Sequence, residues 1–302
     1  MRRIEPSLLP KAPRPASFWR LLSCIRFDEV CVLQGAPILG ACFAMANFGQ
    51  VTLRTICLLI VGNLCLVAHI FVVNDWAGLQ GDLKDHHRAY RTYLASGESD
   101  ARMVWMAWSL LGLTILIFGL IGTTPLCIAI VIAILSAAYS LPMPNGKGVP
   151  GLNSALHLIG GTLHFLLGYA SLAAISLHAV AIACYFGLVF AAGHLTHETR
   201  DYEGDRRNAI RTNAVAFGKN FAFLAGLAMF IAAYGLLAML AFQRAVPMVM
   251  ALAAPLLLIH LLAAWRAWHA GLDYSGVRRL QSVYRNIHAL IGLGMLVSVP
   301  PW

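Results

Sequence analysis

Acidic residues are scarce in this 302-residue chain: it has thirteen Asp and Glu against 22 Lys and Arg. Charge of either sign covers only 12% of positions, whereas 59% are hydrophobic and the mean hydropathy is +0.72. A soluble globule carries about twice that share of charge, so a water-surrounded fold is excluded and the bilayer becomes the solvent to reason with. The seven cysteines never form a CxxC pair, which excludes a thiolate zinc or dithiol motif and leaves them as small apolar packers. No linker or low-complexity tract follows the first ~25 residues, so the simplest division is an N-terminal segment, 1–27, and one transmembrane domain, 28–302. In that segment Phe18-Trp19-Arg20 reads as an interfacial anchor. Ala-Cys-Phe-Ala-Met-Ala at 41–46 loosely matches a signal-peptidase site, but the lead-in is long and the anchor reading fits it better.

Apolar stretches of about 20 residues, each able to cross ~30 Å of hydrocarbon, occur at 29–48, 55–74, 102–121, 123–141, 153–174, 177–197, 219–242, 246–265 and 283–299. The expected fold is therefore all-α, a bundle of about nine transmembrane helices. With the N-terminus inside, twenty of the 22 basic residues fall on inner segments and only Arg54 and Arg244 lie outside. The expected protein is multi-pass, with a cytoplasmic N-terminus and an external C-terminus, in a bacterial inner membrane or its equivalent. The same rule accounts for the net charge of +9, which in a soluble protein would suggest nucleic acid; no nucleic-acid partner is expected.

The placement of the acids carries the chemistry. Seven of the thirteen lie in two short segments, Asp75, Asp82 and Asp85 in NDWAGLQGDLKD and Glu198, Asp201, Glu203 and Asp205 in HETRDYEGD. Both follow apolar stretches at their inner ends, and carboxylates at membrane depth cost several kcal/mol unless compensated, so two such clusters suggest one shared cation site facing the cytoplasm. Carboxylates and an Asn amide without Cys are hard oxygen donors that suit Mg²⁺, an ion that prefers to share its shell with phosphate oxygens. Asp201 and Asp205, four apart, project from one face of a helix, and Asn74-Asp75 can act from the opposite wall. Arg88, Arg91, Lys147, Arg200, Arg206 and Arg207 supply fixed cations for a diphosphate cradle. The plain alternative is two solvated loops with surface Arg–Asp pairs.

With those residues in view, the chain resembles the UbiA superfamily of intramembrane prenyltransferases. DYEGDRRNAIRTNAVAFGK at 201–219 is similar to the family's DxxxD segment, Asn74-Asp75 to the start of its NDxxDxxxD motif, and YSLPMPNGKG at 139–148 with Asn153 to its Tyr-Ser-x-Pro loop. The resemblance implies nine helices, an isoprenoid diphosphate donor, Mg²⁺ and a small acceptor, most often aromatic. One departure stands out: the pattern laid on Asn74-Asp75 calls for an acid at position 78, and this chain has Gly78. Counting back from Ser96-Gly97 instead makes Asp85 the closing acid. Asp82 and Asp85 both stay open as the partner of Asp75.

Asn153, His157, Gly160 and His164 recur at i, i+4, i+7 and i+11 and lay a polar stripe on one face of the fifth stretch. Such a stripe either walls a substrate chamber or bonds to a neighbouring helix. Tyr139 either presents its ring to an allylic cation or anchors the interface. Eleven scattered histidines do not make a di-iron site; His194 or His197 is better read as orienting a carboxylate or an acceptor.

The expected function is intramembrane transfer of a prenyl group from an isoprenoid diphosphate to an acceptor by Mg²⁺-assisted ionisation. The expected catalytic residues are Asp75, Asp201, Asp205, Lys147 and Tyr139. The expected metal ligands are Asp75, Asp82, Asp85, Asp201 and Asp205. Substrate contacts fall to Asn74, Arg88, Arg91, Asn153, His157, Arg200 and Arg206. A terpene cyclase, in which the donor's own double bonds capture the cation, is the alternative. A lipid or ion transporter fits less well, because the acids gather at inner ends only.

Overall fold

The structure is a computed structural model that describes residues 25–45, 50–82 and 100–298. Among them all regular elements are helical. In chain order these are α1 (Phe27–Val32), α2 (Gly35–Ala44), α3 (Gln50–Asp82), α4 (Asp100–Ile121), α5 (Thr123–Ser140), α6 (Leu152–Ala170), α7 (Leu177–Arg207), α8 (Asn213–Phe217), α9 (Lys219–Phe242), α10 (Ala254–His269) and α11 (Tyr274–Ser298). Short 3₁₀ turns at Gly146–Gly148 and Met248–Ala253 lead into α6 and α10. Six helical runs are long and apolar enough to cross a membrane: Thr52–Gly78, Ala101–Ile121, Thr123–Ser140, Leu177–Arg207, Lys219–Phe242 and Met248–His269.

The other three stretches read from the sequence do form helices, yet none is among those six. The Glu29–Ala44 run is short. On α6 the Asn and His stripe dilutes the hydropathy, and α11 carries Arg278, Arg279 and Arg285 in its first half. An all-helical integral membrane protein follows directly; the count of nine spans does not.

Without a hydrophobic drive between helices in lipid, close packing needs small residues at the crossings. A Cβ added at Gly168 of α6 would stand 1.8 Å from the Pro37 carbonyl oxygen on α2, and one at Gly40 would meet the Phe165 carbonyl at 2.1 Å. Gly161 on α6 and Gly187 on α7 are similarly tight, the latter 2.3 Å from the Thr162 hydroxyl. These glycines press α2, α6 and α7 into one seam, which seats Phe165, Leu167, Ala183 and Tyr185 in the buried core. Gly160 and Gly122 face no such contact.

Helix starts follow local chemistry. Ser176 accepts the Ala179 N–H at 3.1 Å and opens α7, and Thr212 accepts the Val215 N–H to open α8. The Arg285 guanidinium donates to both oxygens of Glu29 at 3.0 and 3.1 Å, tying α11 to α1.

Candidate functional site

The two acid-bearing segments sit at the C-terminal ends of α3 and α7, and the chain between Tyr139 and Asn153 connects them. At the end of α5 the Ser140 hydroxyl donates to Asn74 Oδ1 on α3 at 3.4 Å. Beside it the Tyr139 ring stands edge-on to His157 of α6 and His194 of α7, with centroids 4.8 and 5.9 Å away. The two imidazoles stack at 3.6 Å. The loop then turns tightly: a side chain on the buried Gly146 would strike Leu156 and the Ala138 carbonyl, so only glycine lets the turn lie against α5 and α6. The next residue, Lys147, brings its Nζ to 3.9 Å from Asp205 Oδ1. A single short segment thus touches α3 through Ser140, α6 and α7 through Tyr139, and the second acid segment through Lys147.

Beneath that segment lies a buried polar network. Asn153 Nδ2 donates to Glu198 Oε1 and, at 3.4 Å, to the Lys147 carbonyl. Asn213 Nδ2 donates to Asn153 Oδ1 at 2.7 Å and to Ser154 Oγ at 2.9 Å, while its own Oδ1 accepts the Gly151 N–H at 2.7 Å. The Ala214 N–H donates to Glu198 Oε2 at 3.3 Å. His194 Nε2 lies 3.0 Å from Glu198 Oε1 without the alignment of a full hydrogen bond. Asn153, Glu198, Asn213 and His194 are all buried. A carboxylate at this depth is tolerated because several donors converge on it, and the shared partners lock α6, α7 and α8 together.

The three expected metal ligands with described side chains each meet a cation. Asp75 accepts from Arg26 through both oxygens. Asp201 is bidentate with Arg200 at 2.7 and 2.8 Å, and Arg200 also donates to Gln281 on α11 at 2.8 Å. Asp205 is buried and faces Lys147. Arg206 is exposed at the end of α7. His164, the last member of the stripe on α6, is buried with Nδ1 unpartnered. Asp85, Arg88 and Arg91 lie outside the described residues, as does the side chain of Asp82. Most of the 1–27 segment also lies outside them.

The residues that the sequence did not single out are Arg26, Asn213 and Gln281, together with Glu198 as a structural hub. Asn213 stands inside the quoted 201–219 stretch, so its signal was present as a polar residue just after a Thr cap. Arg26 and Gln281 are far from their partners in sequence and left none.

Among the described residues no three His, Cys, Asp or Glu side chains converge on one point. That pattern suits Mg²⁺, which keeps several waters and is held by one or two carboxylates plus substrate phosphates more often than by an all-protein cage. The donors at hand are hard carboxylate and amide oxygens, so Asp75, Asp201 and Asp205 fit such an ion chemically.

Residues 35–280 match the model of the UbiA prenyltransferase family. The chain belongs to that family. No curated protein sequence matches it. Among solved structures, a UbiA homolog from Aeropyrum pernix K1 in its apo form superposes with a TM-score of 0.74 at 18% identity, over 90% of this chain and 98% of that one. A UbiA homolog from Archaeoglobus fulgidus bound to GPP and Mg²⁺ gives 0.70 at 16% identity, over 92% and 99%. A digeranylgeranylglyceryl phosphate synthase gives 0.70 at 16% identity, over 94% and 98%. At these identities the likeness is one of fold.

Proposed function

We propose that this UbiA family member transfers a prenyl group from an isoprenoid diphosphate to a small aromatic acceptor inside the membrane. The observation that carries the reading is the Tyr139–Lys147 segment, which contacts Asn74 through Ser140 and Asp205 through Lys147 and so gathers both acid-bearing helix ends around one place. The A. fulgidus homolog bound to GPP and Mg²⁺ supports the donor class and the ion. Mg²⁺ would be held by Asp75 with Asp82 or Asp85 and by Asp201 with Asp205, and would supply positive charge to a diphosphate leaving group.

The chain's own residues do the rest. Lys147 sits where charge grows on the departing oxygens, and the network through Asn153 fixes its backbone there. Asn74, His157, Arg200 and Arg206 are assigned to the approach of the diphosphate, and the sequence adds Arg88 and Arg91, which lie outside the described residues. The Tyr139 ring, supported by His157 and His194, presents a π face to an allylic cation. The apolar bundle excludes water until the acceptor attacks.

The proposed topology is nine spans, with the N-terminus and the site cytoplasmic and the C-terminus external. It rests on the twenty-to-two division of basic residues, and a reporter fused after Trp302 that proved cytoplasmic would remove it.

The decisive experiment is mass spectrometry of products formed by purified protein with Mg²⁺ and donors of graded chain length, with and without phenolic acceptors. A prenylated phenol that requires Mg²⁺ supports the proposal. A terpene formed from the donor alone would establish the cyclase reading that Gly78, in place of an acid, keeps open. Absence of both products with every donor would overturn the assignment.

A further inference from the structure

A cleft away from the acid segments lies in the seam between α10 and α11. It has a volume of about 230 Å³, and its rim carries two guanidiniums, Arg266 from α10 and Arg279 from α11. Both are exposed, and the floor between them is small, formed by Ala267 and Gly276. One turn deeper the walls become apolar, at Ala263 and Val283.

The seam continues. Arg279, Val283 and Leu290 recur at i, i+4 and i+11, so they form one stripe of α11, and Ala263 and Leu256 are seven apart on α10. Near Leu256 and Leu290 the seam opens again as a wholly apolar crevice of about 150 Å³, with Val249 and Leu252 at its mouth. From Arg279 to Leu290 the helix rises about 16 Å, which is close to half of the ~30 Å hydrocarbon core, the depth of a single leaflet. Trp265 and Trp268, 57% and 37% exposed beside Arg266, stand at the level where interfacial aromatics meet headgroups.

This stripe is turned away from the proposed catalytic chamber. On α11, Gln281 and Arg285 bond inward to Arg200 and Glu29, and Arg279, two residues before Gln281, points about 160° around the helix from it. An exposed groove with two cations at headgroup depth and an apolar track one leaflet long is amphipathic in the same sense as a phospholipid. A single cation on a helix end would follow from the orientation rule alone; two on facing helices that share one cleft above a matching apolar track ask for an anionic head with a chain attached.

We propose that the α10–α11 seam binds an anionic phospholipid of the surrounding bilayer, with its phosphate between Arg266 and Arg279 and an acyl chain lying along Val283 toward Leu290. The proposal is independent of the prenyl-transfer reading, and its test reads lipid retention. The full-length protein is released from nanodiscs of equimolar phosphatidylglycerol and phosphatidylcholine into a native mass spectrometer, and the lipids that stay bound are counted. The wild type is expected to keep phosphatidylglycerol about tenfold over phosphatidylcholine, and the double variant R266Q/R279Q to lose most of that preference, from about 1 kcal/mol per basic residue near anionic lipid. Arg278→Gln, one residue around the helix, should keep it; equal thermal stability of the three proteins excludes unfolding as the cause. Equal retention of both lipids by the wild type, or undiminished phosphatidylglycerol on the double variant, would overturn the proposal. So would loss of the preference in Arg278→Gln, because the effect would then be diffuse charge. Displacement of the lipid by millimolar inorganic phosphate would reduce the cleft to an ion site and overturn it as well.

Discussion

The two acid-bearing helix ends are built to different standards. At the end of α7, Asp201 and Asp205 stand on a helix braced from below: Glu198, one turn before Asp201, is fixed by Asn153 and by the Ala214 N–H, and Asn213 ties the same Asn153 to the loop at Gly151. At the end of α3, Asp75 pairs with the partly exposed Arg26, and Asn74 accepts a long contact from Ser140. One wall is therefore a preorganised scaffold, and the other includes a partly exposed ion pair that costs little to exchange. A site that must admit and release a charged leaving group benefits from that division, because the rigid wall sets geometry while the loose one adapts.

The sharpest way to break the comparison is to remove a carboxylate from the rigid wall. Asp201→Ala or Asp205→Ala should lower turnover by about 10³-fold or more, the scale of losing a preorganised charge-stabilising group, with unchanged membrane insertion and helical content. Asp75→Ala should be nearly as severe if both walls hold one metal–diphosphate assembly. Near-normal turnover in Asp75→Ala, measured at saturating Mg²⁺, would mean that only the α7 wall is catalytic.

Next in size is the brace itself. Glu198→Ala strands Asn153 Nδ2 and the Ala214 N–H in a buried place, at about 1–3 kcal/mol for each unsatisfied group, so the detergent-solubilised protein should melt several degrees lower. Glu203→Ala, on the exposed side of the same turn, should melt like the wild type. Identical melting of the two variants would show that the network stiffens nothing.

A smaller effect is expected on the loose wall. Arg26 and Asp75 are partly exposed, and such pairs are worth at most about 1 kcal/mol. Arg26→Gln should leave folding unchanged and lower the Mg²⁺ concentration for half-maximal rate by up to about fivefold, since the guanidinium competes with the metal for the carboxylate. A higher Mg²⁺ requirement would instead make Arg26 part of the diphosphate cradle.

The helical class and the membrane environment were legible in the sequence, because each rests on composition and local spacing, whereas the 139–148 loop was picked out only through its resemblance to the family's Tyr-Ser-x-Pro loop. Tyr139, Lys147, Asn153 and His157 were named from pattern and come together. The packing seam was only half legible. Glycine invites close crossing, but whether Gly161 or Gly160 makes it depends on helix phase against a neighbour that the sequence does not reveal. The same holds for Arg200, which pattern assigns to the substrate and which in the fold grips Asp201 and Gln281 across to α11. Local spacing reports which face a residue occupies; it is silent on what lies opposite.

Gly78 tests the loose wall most finely. Helix α3 continues without a break through position 82, so position 82 falls on the face of Asp75 but seven residues, about 10 Å, further along the axis. Mg²⁺ binds oxygen at about 2.1 Å and keeps several waters, so acids two turns apart share an ion most readily through its waters or the diphosphate, and position 78 is the rung between them. An Asp there stands about 4.5 Å along the axis from Asp75, near enough to share an ion. Gly78→Asp should therefore tighten the metal, lowering the Mg²⁺ concentration for half-maximal rate by about threefold and strengthening Mn²⁺ binding read by electron paramagnetic resonance in the absence of donor. The opposing effect is repulsion between carboxylates, which dominates if the site is already fully neutralised. The two are separable by sign: weaker Mn²⁺ binding with reduced turnover would mean that another acid of the segment, such as Asp85, already completes the site, and that the chain has moved the rung and not lost it.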